Sequence, residues 1–341
     1  LLLPRIARKR IAFIPIALAC AATAFGQQED ALSAARVLLQ QGKNQEAIAQ
    51  LKQLAARRPG LKGISRELGV AYYREGEYLQ AAQYLQDAWK ENPEDRDAAQ
   101  LLGLSFYFSG RPAEAIPALD KVRSWHPNAN IDAFYILGLC YVMTNRYPEA
   151  RRTFAQLYGV TADSAAAHLL LGRMLLRQGF DPAAELEIET ALSLSPQLPL
   201  AHLALGELDV YAGNYPRGVQ EFEAELLLNP ACAPALTHLG EVFWRMNRDA
   251  DSQRVLRRSI TLDATASEPY VVLGKVLLRQ GQQQLAEENL RRAVKLDPGS
   301  YTAHYFLGLL YRSQGNMPAA ERELGAATRI QQLNASNPGR N

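Results

Sequence analysis

The residue types best suited to chemistry are sparse in this chain. It has five histidines. His168 and His202 stand 34 positions apart, and His304 falls in the same phase. Imidazoles can ligate zinc or move protons where such side chains converge. The carboxylates are dispersed along polar stretches, and no pair is set apart for acid–base work. There is no GxGxxG, phosphate loop, HExxH, CxxC, calcium loop or Gly-x-Ser-x-Gly elbow. Whether the histidines meet depends on the elements that carry them.

Those elements repeat. Tyr270 to Pro298 reads as two amphipathic helices joined at Gly281. Leu273, Leu277 and Leu278 recur at helical spacing in the first, and Leu285, Ala286, Leu290, Ala293 and Val294 in the second. Gly274 lies inside the first helix, where glycine costs about 1 kcal/mol against alanine. It predicts the close approach of another helix backbone, with Ala286 and Ala293 as the matching small surfaces. Pro298 ends the second helix for want of an amide proton. In 34-residue steps the same glycine recurs at Gly138, Gly172, Gly206, Gly240 and Gly308. A 35-residue step leads back from Gly138 to Gly103, then come Gly69 and, in its place in the first unit, Ala35. The result is nine units, residues 28–332. No single pair covers its own apolar face, so the pairs must stack.

Proline supports this phase. Pro112, Pro148, Pro182, Pro216 and Pro318 fall near the start of second helices, where proline is accommodated. Pro117 is deeper and is expected to bend its helix. The extra residue of the 35-residue step is expected within 126–130.

On these residues the chain resembles the tetratricopeptide repeat family. The pattern of aromatic, Leu-Gly, Tyr, Ala, Phe and Pro is met by Tyr270, Leu273, Gly274, Leu277, Ala286, Leu290 and Pro298. It is met again by Leu68, Gly69, Tyr72, Ala81, Leu85, Ala88 and Pro93, and by Phe134, Leu137, Gly138, Tyr141, Ala150 and Phe154. Departures are local: Asp209 for Tyr and Gly218 for Ala in unit six, Ser252 and Ser259 in unit seven. Ala162, Ala264 and Gln332 replace the closing proline. The resemblance implies an all-α fold, a right-handed α-solenoid of antiparallel helix pairs. His168, His202 and His304 then take the family's aromatic position, facing the partner helix. Equivalent helices lie about 8–10 Å apart, whereas zinc needs nitrogens at about 2 Å. Packed histidines are therefore expected, with no metal, no cofactor and no catalytic residue.

The resemblance also implies that first helices line the inner face. The groove positions are one, four and five residues after each landmark glycine and three before it. Units three and four place Gln100, Leu104, Tyr107, Phe108, Tyr135, Leu139, Val142 and Met143 there, an apolar and aromatic stretch. Units five to eight place Arg173, Arg177, Glu207, Tyr211, Glu241, Trp244, Arg245, Lys275 and Arg279 there, a mostly charged one. His238 is a further contact candidate. Exposed aromatic clusters mark binding surfaces; burial by curvature is the competing outcome. The family's carboxylate clamp needs Lys and Asn where Leu169, Arg173 and Leu203 stand, so that recognition is not expected.

The first 26 residues differ. Arg5, Arg8, Lys9 and Arg10 precede an apolar run from Ile11 to Phe25, and Gln27 to Asp30 turns polar. This is the layout of a secretory signal peptide, too short for a membrane span of about 20 residues. A retained anchor and lipid attachment at Cys20 are the alternatives. Without the four basic residues of this segment, 33 Lys and Arg face 35 Asp and Glu. That disfavours nucleic acid as a partner. Cys140 and Cys232 lie too far apart in the array to bridge.

The expectation is an exported scaffold, periplasmic or secreted, that binds a protein or peptide partner and touches membrane only if its leader is retained. One rival is the recognition arm of a glycosyltransferase-like enzyme whose catalytic domain would lie beyond Asn341. Another is a subunit of an envelope assembly complex. Residues 333–341 are expected to form a flexible tail.

Overall fold

A computed structural model describes residues 32–125, 131–179 and 181–336, and among them all regular structure is helical, with no strand. The leader, the segment holding the expected extra residue and the last five residues lie outside the described residues.

Contacts divide the chain into two compact units, one ending at Ala162 and the other beginning at Asp163. The first holds four helix pairs: α1 (32–40) and α2 (Asn44–Arg57), α3 (Ile64–Arg74) and α4 (Tyr78–Glu91), α5 (Arg96–Phe108) and α6 (Pro112–Trp125), α7 (Ile131–Met143) and α8 (Tyr147–Leu157). The second holds five: α9 (Ala165–Arg177) and α10 (Asp181–Leu194), α11 (Ala201–Tyr211) and α12 (Tyr215–Leu228), α13 (Ala233–Arg245) and α14 (Asp249–Leu262), α15 (Glu268–Arg279) and α16 (Gln283–Leu296), α17 (Tyr301–Ser313) and α18 (Met317–Ser336). The last helix runs four residues past the expected end of the array at 332. Helix α6 contains Pro117 in its interior.

Each first helix stops at a residue in the left-handed region. It is glycine in seven pairs, Gly281 among them at φ 73°, and asparagine in two, Asn145 and Asn247. At Gly281 the amide of Gln282 donates to the Leu277 carbonyl and that of Gly281 to Leu278, which closes the helix end. Asp95, Ser164 and Ser300 cap α5, α9 and α17 by accepting from the amide three residues on.

The landmark glycines sit where the second helix approaches closely, as expected: a Cβ at Gly172 would lie 3.2 Å from the Ala184 carbonyl and one at Gly308 3.1 Å from the Leu324 amide nitrogen; a large side chain of that helix comes closer still. A Cβ at Gly274 would lie 2.7 Å from Cγ of Leu290, and one at Gly138 would lie 2.5 Å from a ring carbon of Phe154. The same holds for Gly69 with Leu85, Gly103 with Leu119, Gly172 with Ile188, Gly206 with Phe222, Gly240 with Leu256 and Gly308 with Leu324. The notch thus receives a large side chain from the second helix, sixteen positions on. Ala286 and Ala293 are buried beside it but do not fill it.

Curvature follows from which helices touch. Within the first unit α3 contacts α5, and α5 contacts α7; within the second, α9, α11, α13, α15 and α17 contact in succession. Among the described residues no two second helices of successive pairs contact each other to this extent. First helices therefore crowd on the inner side of each unit.

Candidate inner-face binding sites

In the first unit the inner positions of the expected apolar stretch are carried by α5 and α7. Helix α7 is apolar on nearly every side, and such a helix is drawn into the core. Leu139 and Val142 are buried, Val142 completely, and Leu104 on α5 is buried as well. These three were expected to line a groove; the structure places them in the packed interior. Phe108 and Met143 remain in solvent, Phe108 with 47% of its surface exposed. Tyr107 and Tyr135 are half-buried. The Phe108 ring packs on Tyr78 and Tyr107 with centroids 5.0 and 5.4 Å away, and Tyr135 lies 5.9 Å from the buried Phe154 ring. Burial raises the Tyr107 hydroxyl above the usual phenol range.

The same unit has an inner-face cleft that sequence reasoning missed. It encloses about 370 Å³ among Arg36, Leu39, Gln40, Arg66, Val70, Arg74 and Gln100. These fill the groove positions of units one to three, of which only Gln100 was singled out. Glu67, buried below, accepts from Arg36 at 2.8 Å and from Arg66 at 3.4 Å, and Arg66 also pairs with Asp95 and Asp97.

In the second unit the inner positions keep their charge in solvent. Arg173, Arg177, Arg245 and Arg279 are exposed, and Tyr211 has 77% of its surface in solvent. Glu207, Glu241, Trp244 and Lys275 are half-buried. His238 stacks on Phe222, with ring centroids 5.6 Å apart, and its Nε2 lies 3.3 Å from Glu207.

Helices α13, α15 and α17 converge on one cluster. The Lys275 ammonium sits 3.7 Å above the Trp244 ring and 5.6 Å from that of Phe306. The Arg279 guanidinium lies 5.4 Å from the Trp244 ring and donates to Asp249, to Asn247 at 2.8 Å and to the Trp244 carbonyl at 2.8 Å. Arg245 donates to Glu241 at 2.9 Å and lies over Tyr215. The Trp244 indole nitrogen is buried with no hydrogen-bond acceptor. Burial lowers the Lys275 ammonium below the usual lysine range; Glu241 opposes this and Arg245 adds to it. Among the described residues no carboxylate lies within 4.0 Å of Lys275, Arg173 or Arg177.

The three histidines at the family's aromatic position are packed, but not as lone core residues. His168 Nδ1 lies 2.6 Å from Glu187, His202 Nδ1 2.7 Å from Glu221 and His304 Nδ1 2.6 Å from Glu323. Each glutamate is nineteen positions on, in the second helix of its own pair. The signal was present in the chain. Where the first position is Leu236 the second is Val255, where it is Tyr270 the second is Asn289, and where it is Ala99 the second is Ala118. Among the described residues no three His, Cys, Asp or Glu side chains are grouped to hold a metal. Cys140 and Cys232 are buried free thiols, and burial pushes Cys140 up to about 12.

The departures in unit six are neighbours in space. Asp209 is buried, and a Cβ at Gly218 would lie 3.7 Å from its own Cβ and 3.0 Å from Val210. Asp209 Oδ2 is 3.4 Å from Arg217, within ion-pair range, yet it accepts no hydrogen bond. Arg217 is shared with Glu185 and Glu189. Burial raises the Asp209 carboxyl above the usual range; Arg217 opposes this, and Glu221, Glu185 and Glu189 add to it.

Tetratricopeptide repeat models match residues 32–96, 66–129, 109–174, 203–267 and 271–338. The chain belongs to the tetratricopeptide repeat family. Over 164 residues it is 34% identical to the Vi polysaccharide export protein VexE of Salmonella typhi, a match covering 44% of this chain and 24% of that one. The chain thus spans about a quarter of the length of this curated relative. Among solved structures it is similar to the Cut9–Hcn1 hetero-tetramer of the APC/C, at 16% identity and a TM-score of 0.45, covering 82% of this chain and 55% of that one. It is also similar to a tetratricopeptide repeat protein of Parabacteroides merdae, at 18% identity and a TM-score of 0.43, covering 72% and 97%. A third is YrrB, a repeat protein with an unusual peptide-binding site, at 22% identity and a TM-score of 0.40, covering 50% and 88%. Among the described residues no helix is long and apolar enough to cross a membrane.

Proposed function

We propose that this chain is a protein-binding scaffold that takes a partner segment along the inner, first-helix face of its repeats. One observation carries this reading. Phe108, Met143 and Tyr211 stand in solvent at inner positions, although each is large and apolar enough to reward burial. Repeat arrays use such curved faces for binding, and aromatic side chains supply much of the energy of protein interfaces.

The leader layout supports export, to the periplasm or beyond the cell. Similarity to a protein named for polysaccharide export favours a place in an envelope assembly. Both are part of the proposal. Amino-terminal sequencing of the native protein should find a start between Ala21 and Glu29; a retained leader would favour membrane anchoring.

The binding claim is tested by affinity capture from an envelope fraction with wild-type chain and with Phe108→Ala and Tyr211→Ala. A captured partner should lose about tenfold in affinity, equivalent to about 1.4 kcal/mol, with an unchanged thermal midpoint. Full-strength capture by both variants would move recognition off the inner face.

A further inference from the structure

The second unit carries a cation with no carboxylate within 4.0 Å among the described residues, in a place built to keep it. Lys275 is held over Trp244 at 3.7 Å and beside Phe306 at 5.6 Å. Ring faces attract a cation, and more strongly as it is desolvated. They do not neutralise its charge. The two neighbouring guanidiniums differ in this respect, since Arg245 has Glu241 and Arg279 has Asp249. Arg245 still has donors to spare, and Arg279 has one.

We propose that Lys275, flanked by Arg245 and Arg279, receives a carboxylate side chain of an extended acidic polypeptide laid along the inner face of the second unit. The inference rests on the scaffold reading and names the chemistry of its partner.

Charge complementarity argues for the acid. Arg173 and Arg177 on α9 also lack a carboxylate among the described residues, so the free charges on this face are positive at both α9 and α15. Glu207 and Glu241 between them already contact His238 and Arg245. Three helix-to-helix steps of about 8–10 Å separate α9 from α15, and an extended chain covers about 3.3–3.6 Å per residue. A segment of roughly eight to ten residues would reach both ends. A polypeptide is favoured over an acidic saccharide or a nucleic acid because Lys275 covers a Trp244 face. That face is closed to a stacking sugar or base.

The test uses the full chain and an array of dodecapeptides in which Asp and Glu are placed among Phe, Leu, Tyr and Ser, each beside its Asn/Gln counterpart. Hits are titrated in solution by fluorescence anisotropy, and oligogalacturonate is the saccharide probe. Acidic peptides should bind at least about tenfold tighter than their amide counterparts, and more weakly as salt rises. Lys275→Gln should remove most of that preference, while Lys275→Arg, which keeps the charge, retains part of it. Circular dichroism melts confirm that both variants fold. If Lys275→Gln fails to fold, Lys275→Arg against wild type still compares acidic with amide peptides. Equal binding of acidic and amide peptides overturns the proposal but leaves the scaffold reading intact. Tighter binding of oligogalacturonate overturns it in favour of a saccharide. Absence of any peptide binding overturns both readings.

Discussion

The inner faces of the two units occupy the same repeat positions and differ in what folding did to them. In the first unit apolar side chains at these positions were absorbed into helix packing, as Leu104, Leu139 and Val142 show. In the second, charged side chains stayed in solvent and were organised by ion pairs and ring faces around Trp244. An apolar group gains from any burial on offer, whereas a charge must keep water or a partner. An inner position therefore stays open to a partner only if its side chain resists absorption. Phe108 and Met143 are what remains of that surface on α5 and α7.

The largest effects test whether the units are separate in stability. Gly138→Leu and Gly274→Leu each drive a side chain into space held by Phe154 or Leu290. Each should cost about 3 kcal/mol or more, above the usual range for overpacking because the buried neighbour has no room to yield. Hydrogen exchange should locate the lost protection in the first unit for Gly138→Leu and in the second for Gly274→Leu. Protection lost evenly throughout the chain in either case would contradict the division.

Next in size is the histidine–glutamate pairing, which the described part of the second unit has in three places. His168→Leu alone takes the imidazole hydrogen bond away from the buried Glu187 carboxylate and should cost about 1–3 kcal/mol. His168→Leu with Glu187→Val copies the natural pair Leu236 and Val255 and should recover most of that loss. A double-mutant cycle by urea denaturation measures the coupling. Additive losses would mean that the pair is incidental.

A smaller effect attends Asp209. Its carboxyl is raised above 3.8 in the folded chain. The folded state then holds the proton more firmly than the unfolded state, so stability falls as pH rises through the window above 3.8. Asp209→Asn should therefore stabilise at pH 7, by roughly 1 kcal/mol or less, with the gain fading on acidification. Thermal melts across pH decide this; a loss of stability at pH 7 would show that the contact with Arg217 dominates.

The smallest stability effect sharpens the contrast at the proposed binding surface. Phe108→Ala should change stability by about 1 kcal/mol or less, because much of its ring is already in water. The pair Tyr107→Ala and Tyr135→Ala should cost more, since both rings are half-buried and Tyr135 packs on Phe154. If the double variant keeps its melting midpoint, the two tyrosines belong to the open surface after all.

Much of the fold was legible because its signals are local. The 34-residue phase, the turn at Gly281 and the notch at Gly274 all follow from backbone sterics and helical spacing within a few turns. Two details were not legible for a common reason. Burial of Leu139 and Val142 depends on how neighbouring helices crowd, and spacing along one helix does not contain that. That Leu290 fills the notch at Gly274, in addition to the approach of the helix itself, depends on how deeply one helix settles on another.

The sequence by itself determined that the chain is a stack of helix pairs, which helix of each pair comes first, and where the charged and aromatic residues fall in each repeat. These follow from the period of the apolar pattern and from the few residues that can end a helix. Tertiary structure decided which of those residues meet. It set His168 against Glu187 across a helix pair, held Lys275 over Trp244 with no carboxylate in ion-pair range, and left Phe108 in water while burying Val142. Partnership and burial depend on distances between helices that are remote in sequence, and only packing sets those distances.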